Sequence, residues 1–408
     1  MQCGLLGRKL GHSYSPQIHS RLGSYDYSLF EKEPDELGAF LRSGDFTGLN
    51  VTIPYKKEVI QYCDTLSPCA KKRMAVNTIV RRSDGTLIGH NTDDFGFRSM
   101  LDRSGLNVVN KKVLVLGSGG ASATASAVLE EIGAQVIVIS RSGSNNYGNL
   151  HLHKDASVIV NATPVGMYPN TEDSPIDLDL FPILEGVLDL IYNPAHTKLL
   201  QGAECRGLVA QNGLWMLVAQ AKESAEWFTN TRISDDVISP IHNQLSRQME
   251  NLILVGMPGC GKSTVGRILA DRTGRVFVDS DMEIIKKTGV SIPEIFANKG
   301  EEGFRELESE VLAHLGKQSG LIIATGGGCV TKEKNYAPLH QNGKIIWLQR
   351  DLGRLALDGR PLSIPEKLEQ MYATRRPLYE RFSDIVVSNN GPAEKTVQAI
   401  LSATGLEE

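Results

Sequence analysis

Residues 256–264, Gly256-Met-Pro-Gly259-Cys260-Gly261-Lys262-Ser263-Thr264, have the types and spacing to hold the phosphates of a nucleotide. The glycines let successive backbone N–H groups converge on phosphate oxygens. Lys262 adds a mobile positive charge, and the Ser263 hydroxyl is a ligand for the Mg²⁺ that accompanies the nucleotide. Further on, Asp279 and Asp281 stand two residues apart after an apolar run. Beside bound Mg–ATP, one carboxylate would face the metal and the other an acceptor hydroxyl. Arg305 precedes Glu308 by one helical turn, a spacing that suits a surface ion pair as well as a cation aimed at a ligand. Gly326-Gly327-Gly328 removes side chains where a small ligand could rest against backbone N–H groups.

A second set of polar residues lies far upstream. Ser13 and Ser15 could both donate to one carboxylate, or simply cap the helix that starts at Pro16. Lys56 follows the strand-ending Pro54, a place where a lysine is either a solvated surface charge or part of a site. Asn77 and the run Asn91-Thr-Asp93 sit at further strand ends, where sites are commonly built. At 112–122 a buried strand runs into Gly117-Ser118-Gly119-Gly120-Ala121 and a small-residue helix that can pack under a pyrophosphate. The next strand ends in Ser140-Arg141-Ser142, where an NAD enzyme would want an acid for the ribose hydroxyl. An arginine with two hydroxyls favours a 2′-phosphate, hence NADP.

The elements needed to position these residues are legible as alternating strands and helices. Strands are expected at 2–7, 112–117, 135–139, 157–160, 186–190 and 207–210 in the first part. In the second they are expected at 252–255, 276–278, 321–324, 344–348 and 384–387, the pattern of a small parallel-sheet kinase. The helix 214–228 puts apolar residues at 214, 217, 218, 221 and 225, with Gln220 on another face. Residues 241–250 read as a short, partly helical linker. A length of 408 residues suits two or three domains. With 43 basic and 47 acidic residues and no basic stripe interleaved with aromatics, nucleic-acid binding is not indicated. The apolar runs are strand length and the N-terminus lacks a basic-then-apolar leader, so the expectation is a cytoplasmic protein without a membrane partner. The six cysteines include no C-x-x-C pair, which points away from structural zinc or a disulfide framework. Cys260 alone sits where a thiol could be activated toward alkylation, against the plainer reading of an inert core thiol.

Taken together, the Ser-x-Ser-Pro loop at 13–16, Asn50-Val-Thr52-x-Pro-x-Lys56, Val76-Asn77-Thr78 and Asn91-Thr-Asp93-x-x-Gly96 resemble the shikimate dehydrogenase family. The resemblance implies that Ser13 and Ser15 hold the substrate carboxylate, that Thr52, Asn77 and Asp93 meet ring hydroxyls, and that Lys56 with Asp93 is the catalytic pair. It further implies Thr163 at the coenzyme, Tyr192 and Gly213 near the nicotinamide, and Gln220 on a substrate hydroxyl. Ser20 stands where the family commonly has Asn, and Ser140-Arg141-Ser142 where it has Asn-Arg-Thr. The C-terminal set of phosphate loop, Asp279-Ser-Asp281, Gly-Glu-x-x-Phe-Arg305-x-x-Glu308, Gly326-Gly-Gly328, Gly359-Arg360-Pro-Leu and Arg375-Arg-Pro-Leu-Tyr resembles shikimate kinase. This implies Asp281, Arg305, Gly327, Gly328 and Arg375 as shikimate contacts, Ser263 and Asp279 at Mg²⁺, and Lys262 with a lid arginine, Arg360, on the transferring phosphoryl group.

The fold class implied is α/β throughout: a two-lobed dehydrogenase-like unit, substrate lobe 1–98 with 221–240 and Rossmann lobe 99–220, followed by a phosphate-loop kinase at 251–408. The cofactors implied are NADP(H), ATP and Mg²⁺, and the partners are small molecules, with the kinase part expected monomeric and the dehydrogenase part dimeric. Alternatives are a quinate-type dehydrogenase fused to the kinase, or a half reduced to a nucleotide-responsive regulatory module. Retention of Lys56 with Asp93 and of Lys262 with Asp281 argues against the module, which needs binding residues only. The tether between the two halves also raises the hypothesis of faster shikimate transfer, although no sequence feature marks a channel.

Overall fold

The computed structural model describes residues 1–11, 13–356 and 365–407. The chain forms two compact units, residues 1–192 with 197–243 and residues 193–196 with 244–408.

The first unit contains two sheets. Strands β1 (Gln2–Gly7), β2 (Asp26–Glu31), β3 (Gly48–Val51), β4 (Thr65–Leu66), β5 (Thr78–Arg81) and β6 (Leu87–His90) lie in the order β2-β1-β3-β5-β6-β4. The flanks are parallel, while β5 runs antiparallel to both β3 and β6. Helices α1 (Ser15–His19), α2 (Leu37–Ser43) and α3 (Pro68–Arg73) connect these strands, and α4 (Asp93–Ser104) leads away from β6. Strands β7 (Lys112–Leu116), β8 (Gln135–Ile139), β9 (Val158–Asn161), β10 (Gly186–Asp189) and β11 (Val209–Gln211) form a parallel sheet ordered β11-β10-β9-β7-β8. The middle strands β7, β9 and β10 are buried apolar runs because helices such as α5 (Gly120–Ile132) and α6 (Lys198–Cys205) cover them, while the edge strands β8 and β11 are partly exposed. The strand order reverses beside β7, so its glycine turn and the loop after β9 open onto the crevice where such sheets bind nucleotides.

Helix α7 (Leu214–Thr229) packs against α4. The approach is close because residue 96 has no side chain: a Cβ there would lie 2.8 Å from the Met216 carbonyl oxygen and 3.0 Å from Gln220 Cβ. That packing accounts for the glycine of the Asn-Thr-Asp-x-x-Gly run. Residues 241–250, read from sequence as a partly helical linker, lie almost wholly within a continuous helix α8 (Ile238–Met249), in which Ile238, Ile241, Leu245 and Met249 are buried. An apolar residue every third or fourth position is the reason they form a helix instead of a loop.

The second unit is a single parallel sheet, β13-β14-β12-β15-β16, built from β12 (Asn251–Val255), β13 (Val276–Asp279), β14 (Leu321–Ala324), β15 (Gly343–Gln349) and β16 (Ile385–Ser388). Helices α9 (Lys262–Thr273), α10 (Ser280–Thr288), α11 (Ile292–Gly316), α12 (Tyr336–His340), α13 (Pro365–Phe382) and α14 (Ala393–Thr404) accompany it. The five strands match the sequence expectation to within a residue or two. Gly300, inside α11, has φ 68° and ψ −176°, so the helix breaks and restarts in a new direction. Periodicity alone reads straight through that break. Among the described residues no helix is long and apolar enough to cross a membrane.

Candidate active sites

In the first unit, Lys56 follows the cis Ile53–Pro54 bond in a turn that precedes the 3₁₀ segment Glu58–Tyr62. Its Nζ donates to Asp93 Oδ2 at 2.6 Å; the carboxylate side chain is 6% exposed and the lysine 24%. Asp93 opens α4, where the helix N-terminus favours an anion, and its own N–H donates to Asn91 Oδ1. Asn77 is buried and held on both sides: its Oδ1 accepts the Thr92 N–H at 2.7 Å, and its Nδ2 donates to Gln220 Oε1 at 3.2 Å. The return helix α7 thus brings Gln220 to Asn77 across 143 residues of chain.

Ser13 Oγ accepts the Ser15 N–H at 3.2 Å, but the N-cap of α1 is Tyr14 and no side chain caps the helix, so Ser13 stands one residue before the capping position. Ser15 opens α1 and is half-buried. Thr52 ends the strand with its N–H on the Leu6 carbonyl. Tyr192 reaches the serine loop, its ring edge-on to Tyr14 at 6.2 Å between centroids.

Two buried networks stand behind these residues. Ser224 Oγ, on α7, lies 2.8 Å from Asn50 Nδ2, 2.9 Å from Thr78 Oγ1 and 3.0 Å from Thr92 Oγ1. It ties α7 to β3, β5 and the turn before α4. In the second sheet, Asn161 Oδ1 accepts from both the N–H and the hydroxyl of Thr163, and Asn161 Nδ2 donates to Asp189 Oδ1 at 3.0 Å. Asp189 also accepts from Thr197 Oγ1 at 2.7 Å and the Ile191 N–H at 3.0 Å. Burial pushes its carboxyl up to about 7, and these three donors act against that rise. Both polar residues sit at strand ends, which is the one clue a reader of the sequence has.

The residues of the glycine turn fit a dinucleotide. Gly117 has φ 107°, a Cβ at Gly119 or Gly120 would meet nothing within 4 Å, and the first turn of α5 therefore offers its N–H groups to open space. Ser118 lies in the same turn and Ala121 in that first helical turn; Ser140 is half-buried, with Arg141 and Ser142 exposed beside it. A Cβ at Gly213 would lie 2.2 Å from the Leu190 carbonyl oxygen, so glycine there lets β11 turn tightly past β10.

In the second unit a cavity of about 830 Å³ is lined by the phosphate loop, Asp279, Asp281, Arg305, Glu308, Gly326 to Gly328 and Arg375, with an apolar wall that includes Phe296, Phe304 and Met371. Gly256, Gly259 and Gly261 have φ of 145°, 79° and 97°, values that open the loop's N–H groups inward. Lys262 Nζ, 2.8 Å from the Gly256 carbonyl and 3.1 Å from that of Met257, is parked against the loop it would leave for a phosphate. Ser263 Oγ donates to Asp279 Oδ2 at 2.8 Å, a hydroxyl–carboxylate pair of the kind that suits Mg²⁺. Asp279 Oδ1 caps α10 by accepting the Asp281 N–H. Thr264 lines the cavity; Cys260 is fully buried, which favours the inert reading of its thiol.

Arg305 is 8% exposed and donates through Nη1 to the fully buried Glu308 at 2.7 Å. Burial raises the Glu308 carboxyl while Arg305 lowers it. Arg375 Nη1 donates to the Gly327 carbonyl at 3.2 Å. The glycine triplet has a reason the sequence did not show: a Cβ at 326, 327 or 328 would lie 2.4 Å from Glu308 Oε1, 2.7 Å from Pro258 Cδ or 2.2 Å from Arg305 Nη2. The missing side chains admit protein groups first. Arg360 lies outside the described residues.

Residues 5–79 match the family model for the shikimate dehydrogenase substrate binding domain, and residues 258–404 match that for shikimate kinase. A shikimate dehydrogenase (NADP(+)) of Clostridium perfringens is 34% identical over 264 residues, covering 59% of this chain and 97% of that protein. Among solved structures, shikimate dehydrogenase 1 from Peptoclostridium difficile is 38% identical with a TM-score of 0.56, covering 60% of this chain and 97% of its own. The Thermus thermophilus shikimate 5-dehydrogenase, solved in complex with NADP(H) and shikimate, is 29% identical with a TM-score of 0.55, covering 60% and 99%.

Proposed function

Because the chain belongs to the shikimate dehydrogenase family and continues into a shikimate kinase part, we propose that it reduces 3-dehydroshikimate to shikimate with NADPH and then phosphorylates shikimate with Mg–ATP to shikimate 3-phosphate. Bound NADPH supplies the hydride of the first reaction, and bound Mg–ATP the phosphoryl group of the second. The Lys56–Asp93 pair is the observation that carries the reading. Reduction of a ring ketone leaves an alkoxide that needs a proton; Lys56 Nζ can deliver it, and Asp93 fixes the ammonium's direction and balances its charge. Ser13 and Ser15 would donate to the ring carboxylate, Thr52, Asn77 and Gln220 would read the hydroxyls, and Tyr192 would close over the ring. Gly117 to Ala121, Thr163 and Gly213 would hold the coenzyme, with Ser140, Arg141 and Ser142 on its 2′-phosphate.

In the second unit, Arg305 and Arg375 would grip the carboxylate of the same acid against Gly327 and Gly328. Asp281 would orient the attacking hydroxyl, and Lys262 would neutralise the transferring phosphoryl group. Ser263 and Asp279 would hold Mg²⁺, and Arg360 would act from a lid. The protein is expected to act in the cytoplasm, with its dehydrogenase part dimeric.

The test is the purified chain with 3-dehydroshikimate, NADPH and Mg–ATP, assayed for shikimate 3-phosphate. Lys56→Ala should lower the reduction about 10²–10⁴-fold and spare phosphorylation of added shikimate; Lys262→Ala should do the reverse. Activity surviving in either single variant would refute the corresponding site.

A further inference from the structure

Five charged side chains gather in the first unit away from the candidate substrate site. Arg73, the last residue of α3, is 4% exposed at its side chain; its Nε donates to Asp94 Oδ1 at 2.8 Å and its Nη2 to Glu131 Oε1 at 2.9 Å. Arg98, one turn beyond Asp94 on α4, donates through Nε to Asp94 Oδ2 at 2.8 Å and through Nη2 to Glu131. Lys72 Nζ reaches Glu131 Oε1 at 2.6 Å. Three cations thus bracket two carboxylates, and Lys72 and Arg73 hold the Glu131 carboxyl down to about 2. Glu223, on α7 nearby, has its carboxyl raised to about 8 by burial and by the neighbouring Glu226.

The position of the cluster matters more than its strength. Helix α3 belongs to the first sheet's lobe, and α5 to the dinucleotide sheet's. Helix α4 carries the catalytic Asp93 next to Asp94. Glu131 lies about 17 Å along the rigid α5 from its glycine turn, at 1.5 Å per residue, so a slip at one end is felt at the other. Only Arg73 and Asp94 are withdrawn from water, and a pair so placed returns little net stability because desolvation offsets its attraction; fixing one arrangement against alternatives is the better-attested use.

We propose that Arg73, Asp94, Arg98 and Glu131 form a register that sets how the lobe bearing Lys56 and Asp93 meets the lobe bearing the coenzyme, with Arg73 and Glu131 as positioning residues for hydride transfer. The proposal rests on the dehydrogenase reading of the first site. Hydride transfer needs donor and acceptor atoms about 3–3.5 Å apart, and a misplacement of about 1 Å can cost on the order of 10²-fold in rate.

The test uses the full chain with Glu131→Gln, Arg73→Met and the more exposed Arg98→Gln. For Glu131→Gln and Arg73→Met, kcat for 3-dehydroshikimate reduction should fall about tenfold or more, with KM for both substrates within about twofold. The deuterium isotope effect with NADPH labelled at the transferred position should rise as the chemical step becomes limiting. Arg98→Gln should shift the same quantities less, and phosphorylation of added shikimate by each preparation should match wild type. A lowered melting temperature with unchanged kcat and isotope effect would reduce the cluster to a structural role and overturn the proposal. Lys56→Ala run alongside separates the two claims. If it keeps dehydrogenase activity, the site reading fails; if it is inactive while Glu131→Gln turns over like wild type, the register alone fails.

Discussion

His90 shows how a residue can shape pH behaviour without touching substrate. It is 4% exposed, lies against Trp227 with ring centroids 3.5 Å apart, and neither ring nitrogen has a hydrogen-bond partner among the described residues. Burial lowers its pKa to about 4, and that of His19, which stacks on Tyr27, to about 3. Because both values lie below the ordinary 6.5, the unfolded chain takes up protons before the folded one does. Stability is therefore full above about pH 6.5 and is lost as pH falls toward 4 for His90 and toward 3 for His19. By pH 4.5 the His90 share is up to about 3 kcal/mol. Phenylalanine keeps the ring contact, takes no proton and leaves no orphaned partner. His90→Phe should accordingly lose less stability than wild type between pH 7 and 4.5 in urea titrations; an equal loss in both proteins would show that His90 is not the group responsible.

The break in α11 offers a similarly clean substitution at the level of an element. Gly300 has φ 68° and ψ −176°, a region open in practice only to glycine, yet a Cβ there would meet nothing within 4 Å. Gly300→Ala therefore strains the backbone without a steric clash. It should destabilise the second unit by about 1–3 kcal/mol and turn the segment bearing Arg305 and Glu308, raising KM for shikimate several-fold while leaving KM for ATP near wild type. Kinetics that move the ATP constant instead would place the break on the nucleotide side. The kink was invisible in the sequence because the apolar spacing on either side of residue 300 is helical, and a glycine inside such a pattern is also tolerated in straight helices. The strands and phosphate loop were legible for the opposite reason: a run of four or five apolar residues ending in glycines specifies its own conformation locally. Ser224 and Asp189 stayed hidden because their meaning is supplied by distant residues. Ser224 meets Asn50 across 174 positions, and a hydroxyl in an alanine-rich helix carries no pattern of its own. Lys56 and Asp93 could be picked out only through motif resemblance, since nothing local to either announces an ion pair 37 residues apart.

For the whole molecule, the question is what joining two enzymes in one chain changes. Under the proposed function the same ring acid, with one carboxylate and several hydroxyls, would be gripped by serines and amides in one unit and by two arginines in the other. Each proposed grip draws its residues from one unit alone, so the two single-site variants, Lys56→Ala and Lys262→Ala, should together carry 3-dehydroshikimate through to shikimate 3-phosphate when mixed. Such a mixture must release shikimate into bulk solution, where the phosphorylating site is as dilute as the protein. In the intact chain the tether keeps a phosphorylating site near every reducing one, at an effective concentration that short linkers place in the millimolar range. The lag before shikimate 3-phosphate appears should therefore be shorter for wild type than for the mixture at equal site concentrations. Unlabelled shikimate added to labelled 3-dehydroshikimate should dilute the product less in the intact chain. Equal lags and equal dilution would mean that the tether joins the two activities without speeding the passage of their shared intermediate.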